Sequence, residues 1–242
     1  EIKLRERIPL EVAARGCGGV SFRASIKIFE EACKMRAARL MWSDLLKERY
    51  DIKDERVANL RIHCVTAGSK MAYQQPMNNL VRGALMAVSA VLGGVQSLGV
   101  SGYDEALSIP SEHAHQMSVR IQQILMEETG LTDVTDPLGG SYYVETLTAQ
   151  LVEKSWAFFE EIQSRGGYLA CLDSGWLHAK AEENQHKEFM QTESGEANIV
   201  GVTMAHDDSS PFEIDGFIGT DDAFDVALER LKEVKRTRHE KG

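Results

Sequence analysis

Apolar residues in 26–50 recur at helical spacing: Phe29, Ala32, Cys33, Ala37, Leu40 and Met41 share one stripe, while Lys34, Arg36 and Arg39 lie elsewhere. The charged run 51–58 reads as a loop. Residues 59–66, Asn-Leu-Arg-Ile-His-Cys-Val-Thr, alternate and are rich in β-formers, which predicts a strand ended by Ala67-Gly68-Ser69. Gln74-Gln75-Pro76-Met77-Asn78-Asn79 reads as a turn and helix start, with Asn78 or Asn79 as the candidate cap. Residues 80–92 are apolar on nearly every face, so this helix packs on more than one side before Gly93-Gly94 stops it. Residues 95–100 predict a short strand, and 18–23 a weaker one. Pro110-Ser111 opens a helix to about Thr129, with Met117, Ile121, Ile124 and Leu125 on one face. After the loop Asp136-Pro137-Leu138-Gly139-Gly140-Ser141, a helix over 144–164 carries Leu147, Leu151, Phe158 and Ile162 on one face. Gly166-Gly167 ends it, and a further helix covers 168–190. Residues 192–220, rich in Ser, Gly, Asp and Glu, read as an extended linker that wraps a surface. An amphipathic helix over 221–238 follows, through Phe224, Ala227, Leu228, Leu231 and Val234.

Strands alternating with helices imply parallel pairing through right-handed crossovers. So few strands make neither a closed barrel nor a doubly wound sheet, and pattern alone gives part of an α/β protein. The chain divides into 1–191, a partial β/α unit with appended helices, and 192–242, the linker and terminal helix. The strands carry Arg61, His63, Gln96, Ser97 and Ser101 among their apolar residues, where barrel strands ordinarily turn Val, Ile and Leu inward. Two readings follow: outward solvation at strand ends, or a polar, open interior threaded by a long polar ligand.

The 242 residues are 43% hydrophobic and 26% charged, an ordinary globular composition. The net charge of −10 argues against a sequence-independent grip on nucleic acid or an anionic membrane surface. The basic run Lys232, Lys235, Arg236 and Arg238 reads as a solvated helix end. Cys17, Cys33, Cys64 and Cys171 form no CxxC pair and no zinc spacing, so buried free thiols in a reducing cytoplasm are expected. No signal peptide appears, and no apolar run approaches the roughly 18 residues of a membrane span. The chain opens on Glu1 rather than Met, and we read it as a processed, truncated or split product.

From Lys34-Met-Arg-Ala-Ala-Arg-Leu-Met-Trp42 onward the chain resembles the large subunit of the methylmalonyl-CoA mutase family. The resemblance continues through Arg61-Ile62-His63-Cys64-Val65-Thr66-Ala67-Gly68, then Gln74 to Arg82 and Gly93-Gly94-Val95-Gln96-Ser97-Leu98. It includes Tyr103-Asp104-Glu105-Ala106-Leu107 and Asp136 to Tyr142, and runs from about residue 18 to about 238. It implies the C-terminal part of a TIM-type β/α barrel, lined by small polar residues, with the CoA chain along its axis. It also implies adenosylcobalamin at the C-terminal end of the barrel, and radical 1,2-rearrangement of an acyl-CoA. Matched one position at a time, His63 and Ser97 are substrate-binding candidates. Gly68, Glu105 and Ser108 are candidates for contact with the cobalamin and its adenosyl group. Read alone, His63 is a structural histidine, Glu105 a helix-start carboxylate and Gly68 a turn. Lys34, Arg36 and Arg39 either meet CoA phosphates or pair with the acidic surface.

Two stretches depart from the family pattern: Val65 stands where Gln is common, and Gly99-Val100-Ser101 where His-Thr-Asn is common. A branched or larger acyl group is therefore as well accommodated as methylmalonyl. The family's Tyr, His and selective Arg beside the reacting carbon belong to earlier strands, and its Asp-x-His-x-x-Gly cobalt-ligand motif is absent from this sequence. The expected partners are a chain or segment supplying the first part of the barrel and a separate cobalamin-binding subunit. The isolated chain is expected to be unstable or to associate. Competing readings are a non-catalytic structural or regulatory subunit of such a complex, and an unrelated acidic helical interaction module.

Overall fold

The computed structural model describes residues 9–206 and 222–238. In chain order the elements are α1 (Leu10–Cys17), β1 (Gly19–Ala24), α2 (Ile28–Asp44) with a π-helical turn (Leu45–Arg49), α3 (Glu55–Ala58) and β2 (Arg61–Thr66). A 3-10 turn (Gly68–Lys70), α4 (Asn78–Leu92), β3 (Ser97–Gly99), α5 (Glu112–Glu127) and α6 (Tyr142–Ser164) follow. Then come α7 (Tyr168–Asp173), α8 (Trp176–Glu193) and α9 (Ala223–Thr237).

The strands form one parallel sheet in the order β1-β2-β3. Period-2 alternation sends Val20, Phe22, Ala24, Leu60, Ile62, Cys64 and Leu98 to one face, where Met35 of α2 and Met86 and Ala90 of α4 meet them. Both crossover helices therefore lie on the same side. A doubly wound sheet carries helices on both faces; this three-stranded sheet carries its crossover helices on one. The other face is free of helices among the described residues and exposes Ser21, Arg23, Arg61, His63 and Ser97. Arg61, His63 and Ser97 thus share one face. Gln96 and Ser101 do other work. The Gln96 amide accepts from Ile62 N–H (2.6 Å) and donates to Gly94 C=O (3.0 Å). Ser101, which is buried, donates twice to Thr66, from its N–H to Thr66 Oγ1 (2.8 Å) and from its Oγ to Thr66 C=O (3.0 Å).

The helix stripes correct the sequence reading in places. On α2 the fully buried large residue is Met35, while Phe29 and Leu40 are 47% and 50% exposed. The cause is that α2 is packed on two sides. Its inner side meets the sheet and α4, and its outer side meets α6, where the Cys33 thiol donates to Val144 C=O (3.5 Å). A single stripe cannot describe a helix held between two layers. On α5 the buried side is Ala114, Ser118, Ile121 and Leu125, and Ile124 is exposed. On α6 Phe158 is exposed at its edge and stacks on Trp176 of α8 (5.6 Å between centroids).

The charged run 51–58 contains a short helix, α3, whose Asp54 cap accepts from Arg56 N–H (3.0 Å). The expected helix over 168–190 is two helices, broken where Gly175 takes the left-handed conformation (φ 73°). Helix α1 lay outside the sequence expectations. The first linker residues, 192–193, are still helical. Residues 194–206 lie over the start of α4, where Arg82 donates to Val200 C=O (2.6 Å) and Gln75 to Ala205 C=O (2.9 Å). The rest of the linker expectation, 207–220, lies outside the described residues. Helix α9 is amphipathic as expected, with Phe224, Leu228, Leu231 and Val234 exposed.

Met35 closes against α4 because Gly93 has no side chain there: a Cβ on Gly93 would lie 2.8 Å from Met35 Cγ. Met35→Ala is expected to lower stability by about 3 kcal/mol, and Leu40→Ala on the same helix by less than about 1 kcal/mol. Urea unfolding of the full chain followed by circular dichroism checks this contrast. Equal losses would mean that α2 is buried as its sequence stripe suggested.

Candidate functional site at the carboxyl end of the sheet

The register places His63 directly beside Ser97, and Ser21 beside His63 on the other side. His63 Nδ1 and Ser97 Oγ are 2.7 Å apart, a hydrogen bond between side chains 34 residues apart in sequence. Both residues are exposed on the helix-free face. The next rung toward the carboxyl ends is Arg23, Val65 and Gly99. Gly99 leaves room over Val65: a Cβ there would lie 3.5 Å from Val65 Cγ2.

Beyond the strands, two loops bring Gly68 and Glu105 together. A Cβ on Gly68 would lie 3.0 Å from Glu105 Cδ and 3.2 Å from Glu105 Cγ. The absent side chain at Gly68 therefore makes room for the Glu105 side chain, which is exposed. Ser108 is half-buried, and its hydroxyl donates to Ile109 C=O (2.8 Å) within its own loop. So the structure sets His63 with Ser97 on the exposed face midway along β2, and Gly68 with Glu105 in the loops beyond the carboxyl ends. Ser108 shares a loop with Glu105.

Two residues that sequence reasoning did not assign to the site hold these loops. Asn79 is buried, and it is not a helix cap. Its amide accepts from Ala72 N–H (3.0 Å) and donates to Ala72 C=O and Tyr103 C=O (2.8 Å each). Arg82 donates to the same Asn79 oxygen (2.7 Å). One amide thus ties the loop after β2 to the loop after β3. Asp104 is fully buried. Its Oδ2 accepts from Ser111 N–H (2.8 Å), and its C=O accepts from Leu107 N–H (2.8 Å) and Ser108 N–H (3.1 Å). Its Oδ1 is buried with no hydrogen-bond partner. The signal for both was on hand: Asn79 sits in the Gln74–Arg82 block and Asp104 in the Tyr103–Leu107 block.

The α2 cations are used structurally. Lys34 pairs with Glu31 and donates to Arg23 C=O (2.8 Å). Arg36 pairs with Asp136 and with Glu145 (2.7 Å). Burial opposes the Arg36 charge, but the hydrogen bonds and charges of Asp136 and Glu145 outweigh it, so its pKa is raised. Arg39 donates to Gly93 C=O (2.6 Å) and Gly94 C=O; burial, then repulsion from Arg36, lowers its pKa. A cavity of about 660 Å³ lies away from His63, between the loop after β2 and the segment over α4. Lys70, Tyr73, Asn78, Arg82, Ile199 and Val200 line part of it. Cys33, Cys64 and Cys171 are free and buried, and burial pushes the Cys64 thiol pKa up. Among the described residues no group of three or more His, Cys, Asp or Glu could hold a metal ion. Nor is any of their helices long and apolar enough to cross a membrane.

A family profile described as Methylmalonyl-CoA mutase matches residues 18–242. The chain belongs to the methylmalonyl-CoA mutase family. It is 41% identical over 224 residues to a methylmalonyl-CoA mutase of Cereibacter sphaeroides, covering 90% of this chain and 31% of that one. It is 38% identical over 215 residues to the 2-hydroxyisobutanoyl-CoA mutase large subunit of Aquincola tertiaricarbonis, covering 88% of this chain and 37% of that one. The methylmalonyl-CoA mutase of Escherichia coli is 33% identical over 215 residues. The chain thus spans about a third of the length of the curated relatives it matches. All the site residues above, and the Asn79 and Asp104 supports, fall inside the stretch that matches the mutase family.

In this member of the mutase family, Asn79→Ala removes buried hydrogen bonds to both loops at once. It is expected to cost roughly 3 kcal/mol. Thermal unfolding, with limited proteolysis to locate cleavage between 67 and 78 or between 100 and 111, measures it. Unchanged stability and no new cleavage would mean that the loops hold without this amide.

Proposed function

We propose that this chain supplies the last strands of the barrel of an adenosylcobalamin-dependent acyl-CoA mutase. The rest of the barrel and the cobalt-ligating module lie outside these 242 residues. The observation that carries this reading is the His63–Ser97 pair on a helix-free polar face, with Glu105 over Gly68 in the loops beyond the carboxyl ends of the strands. Both sheet edges are unpaired among the described residues, which suits a wall that further strands complete. Three buried free thiols suit the reducing cytoplasm.

The residues present fit the cofactor's periphery. Glu105 is an exposed carboxylate that can accept from ribose hydroxyls or corrin amides. The orphan Oδ1 of Asp104 shows that its loop is built around a buried carboxylate. When bound, the cofactor supplies radical chemistry that moves a group between neighbouring carbons of the acyl chain. The chain's own residues bind and orient. If Ser97 Oγ donates to His63 Nδ1, then His63 carries its proton on Nε2. That N–H points a donor at the acyl thioester carbonyl. Glu105 fixes the adenosyl group above the same end. The side chains around it exclude water from the reacting carbons.

The test is turnover by the assembly of this chain with its barrel and cobalamin partners, using methylmalonyl-, isobutyryl- and 2-hydroxyisobutyryl-CoA. Turnover should need every chain. His63→Ala and Glu105→Ala should each lower kcat/KM by roughly tenfold or more. Gly68→Ala should act like Glu105→Ala, since its Cβ displaces that carboxylate, while costing less than about 1 kcal/mol of stability because the exposed carboxylate can swing away. An assembly that binds adenosylcobalamin but turns over none of these substrates would favour a structural subunit.

A further inference from the structure

We infer that Asp104 is a positioning residue for Glu105: its buried side chain pins the loop that aims the Glu105 carboxylate at the adenosyl group. This rests on the mutase reading above, in which Glu105 meets the cofactor.

Asp104 and Glu105 are neighbours in sequence with opposite surroundings. Asp104 is 0% exposed, whereas Glu105 is exposed. Each carboxylate stands where a glycine leaves room, Glu105 over Gly68 and Asp104 beside Gly102. A Cβ on Gly102 would lie 2.7 Å from Asp104 Oδ1 and 3.0 Å from Pro110 Cβ. The Asp104 side chain is therefore seated against its own loop, and its direction is set there.

Asp104 closes the loop 104–111 on itself. Its Oδ2 accepts from Ser111 N–H (2.8 Å), and Ser111 Oγ in turn caps α5 by accepting from Ala114 N–H (3.2 Å). Its C=O accepts from Leu107 N–H (2.8 Å) and Ser108 N–H (3.1 Å). On the upstream side, Asn79 donates to Tyr103 C=O (2.8 Å), and Glu105 N–H donates to Gly102 C=O (3.2 Å). The backbone that carries Glu105 is thus tied to α4 through Tyr103 and to the start of α5 through Asp104. Every partner in this frame belongs to this chain. An exposed Glu has a long side chain with many rotamers, and ordering them on binding subtracts from affinity. Holding its backbone limits that cost, and the Ser111 bond to Asp104 is the part of the frame that joins the beginning of this loop to its end.

The experiment is a double-mutant cycle on the assembled protein, read as the dissociation constant for adenosylcobalamin in a spectroscopic titration. Glu105→Ala and Asp104→Ala should each weaken binding by about tenfold. Adding Asp104→Ala to Glu105→Ala should weaken it by less than about twofold more, because a residue that acts only through Glu105 then has nothing left to position. Asp104→Asn keeps an oxygen for Ser111 N–H and should stay within about threefold of the unsubstituted protein. Gly102→Ala crowds the Asp104 carboxylate without removing it; it should act like Asp104→Ala, and it decides the question if Asp104→Ala does not fold. An equal loss from Asp104→Ala with and without Glu105, or an unchanged affinity in Asp104→Ala, would overturn the inference and leave the mutase reading standing. Undiminished affinity in Glu105→Ala would remove the contact on which both rest.

Discussion

The structure depends on one-sided burial of the sheet. Met35 from α2 and Met86 from α4, both fully buried, close over Ile62 and Cys64, so both crossover helices take the same face. Everything on the other face follows from that. Once the apolar members of each strand are committed to the helices, the odd-numbered residues Arg23, Arg61, His63 and Ser97 stay in contact with water. A flat sheet left this way would be half-finished, because parallel sheets are ordinarily covered on both faces. The exposed face therefore carries polar side chains, which cost nothing to leave in water.

The loops depend on the same arrangement. Parallel strands with helices on one side send the chain out at the carboxyl ends, and each loop must then return to start a helix. Asn79 solves this for two loops together, since it belongs to the first turn of α4 yet bonds to Ala72 before it and Tyr103 after β3. Asp104 does the same within the second loop by accepting from Ser111, the cap of α5. The short approach of Glu105 to Gly68 is therefore a product of helix starts rather than of the sheet itself. Residues 198–202 add a third layer through Arg82, whose pKa is lowered by its burial.

Much of this was legible along the chain, and the failures have physical causes. The strands at 61–66 and 97–99 and the cap at Ser111 came from local pattern, because period and cap chemistry are local. The candidate site residues came from resemblance, block by block, and no period could have paired His63 with Ser97, since register is a tertiary fact. The α2 stripe misled because a helix between two layers has no single apolar face. Asn78 or Asn79 was read as the cap because Asn at a helix start usually is one; here Met77 holds the cap position, and Asn79 makes tertiary bonds instead.

The departures from the family pattern are best understood as one change rather than several. Val65 and Gly99 are register partners, and Ser101 bonds to Thr66, the next residue on β2. In sequence these positions are more than thirty residues apart; in space they form one patch at the mouth of the sheet. Val and Gly are both smaller than the Gln and His common at those positions, so the substitutions widen the same region and remove polar groups from it together. Room at such a place has to come from both strands at once, because a large side chain on either one would refill what the other vacates.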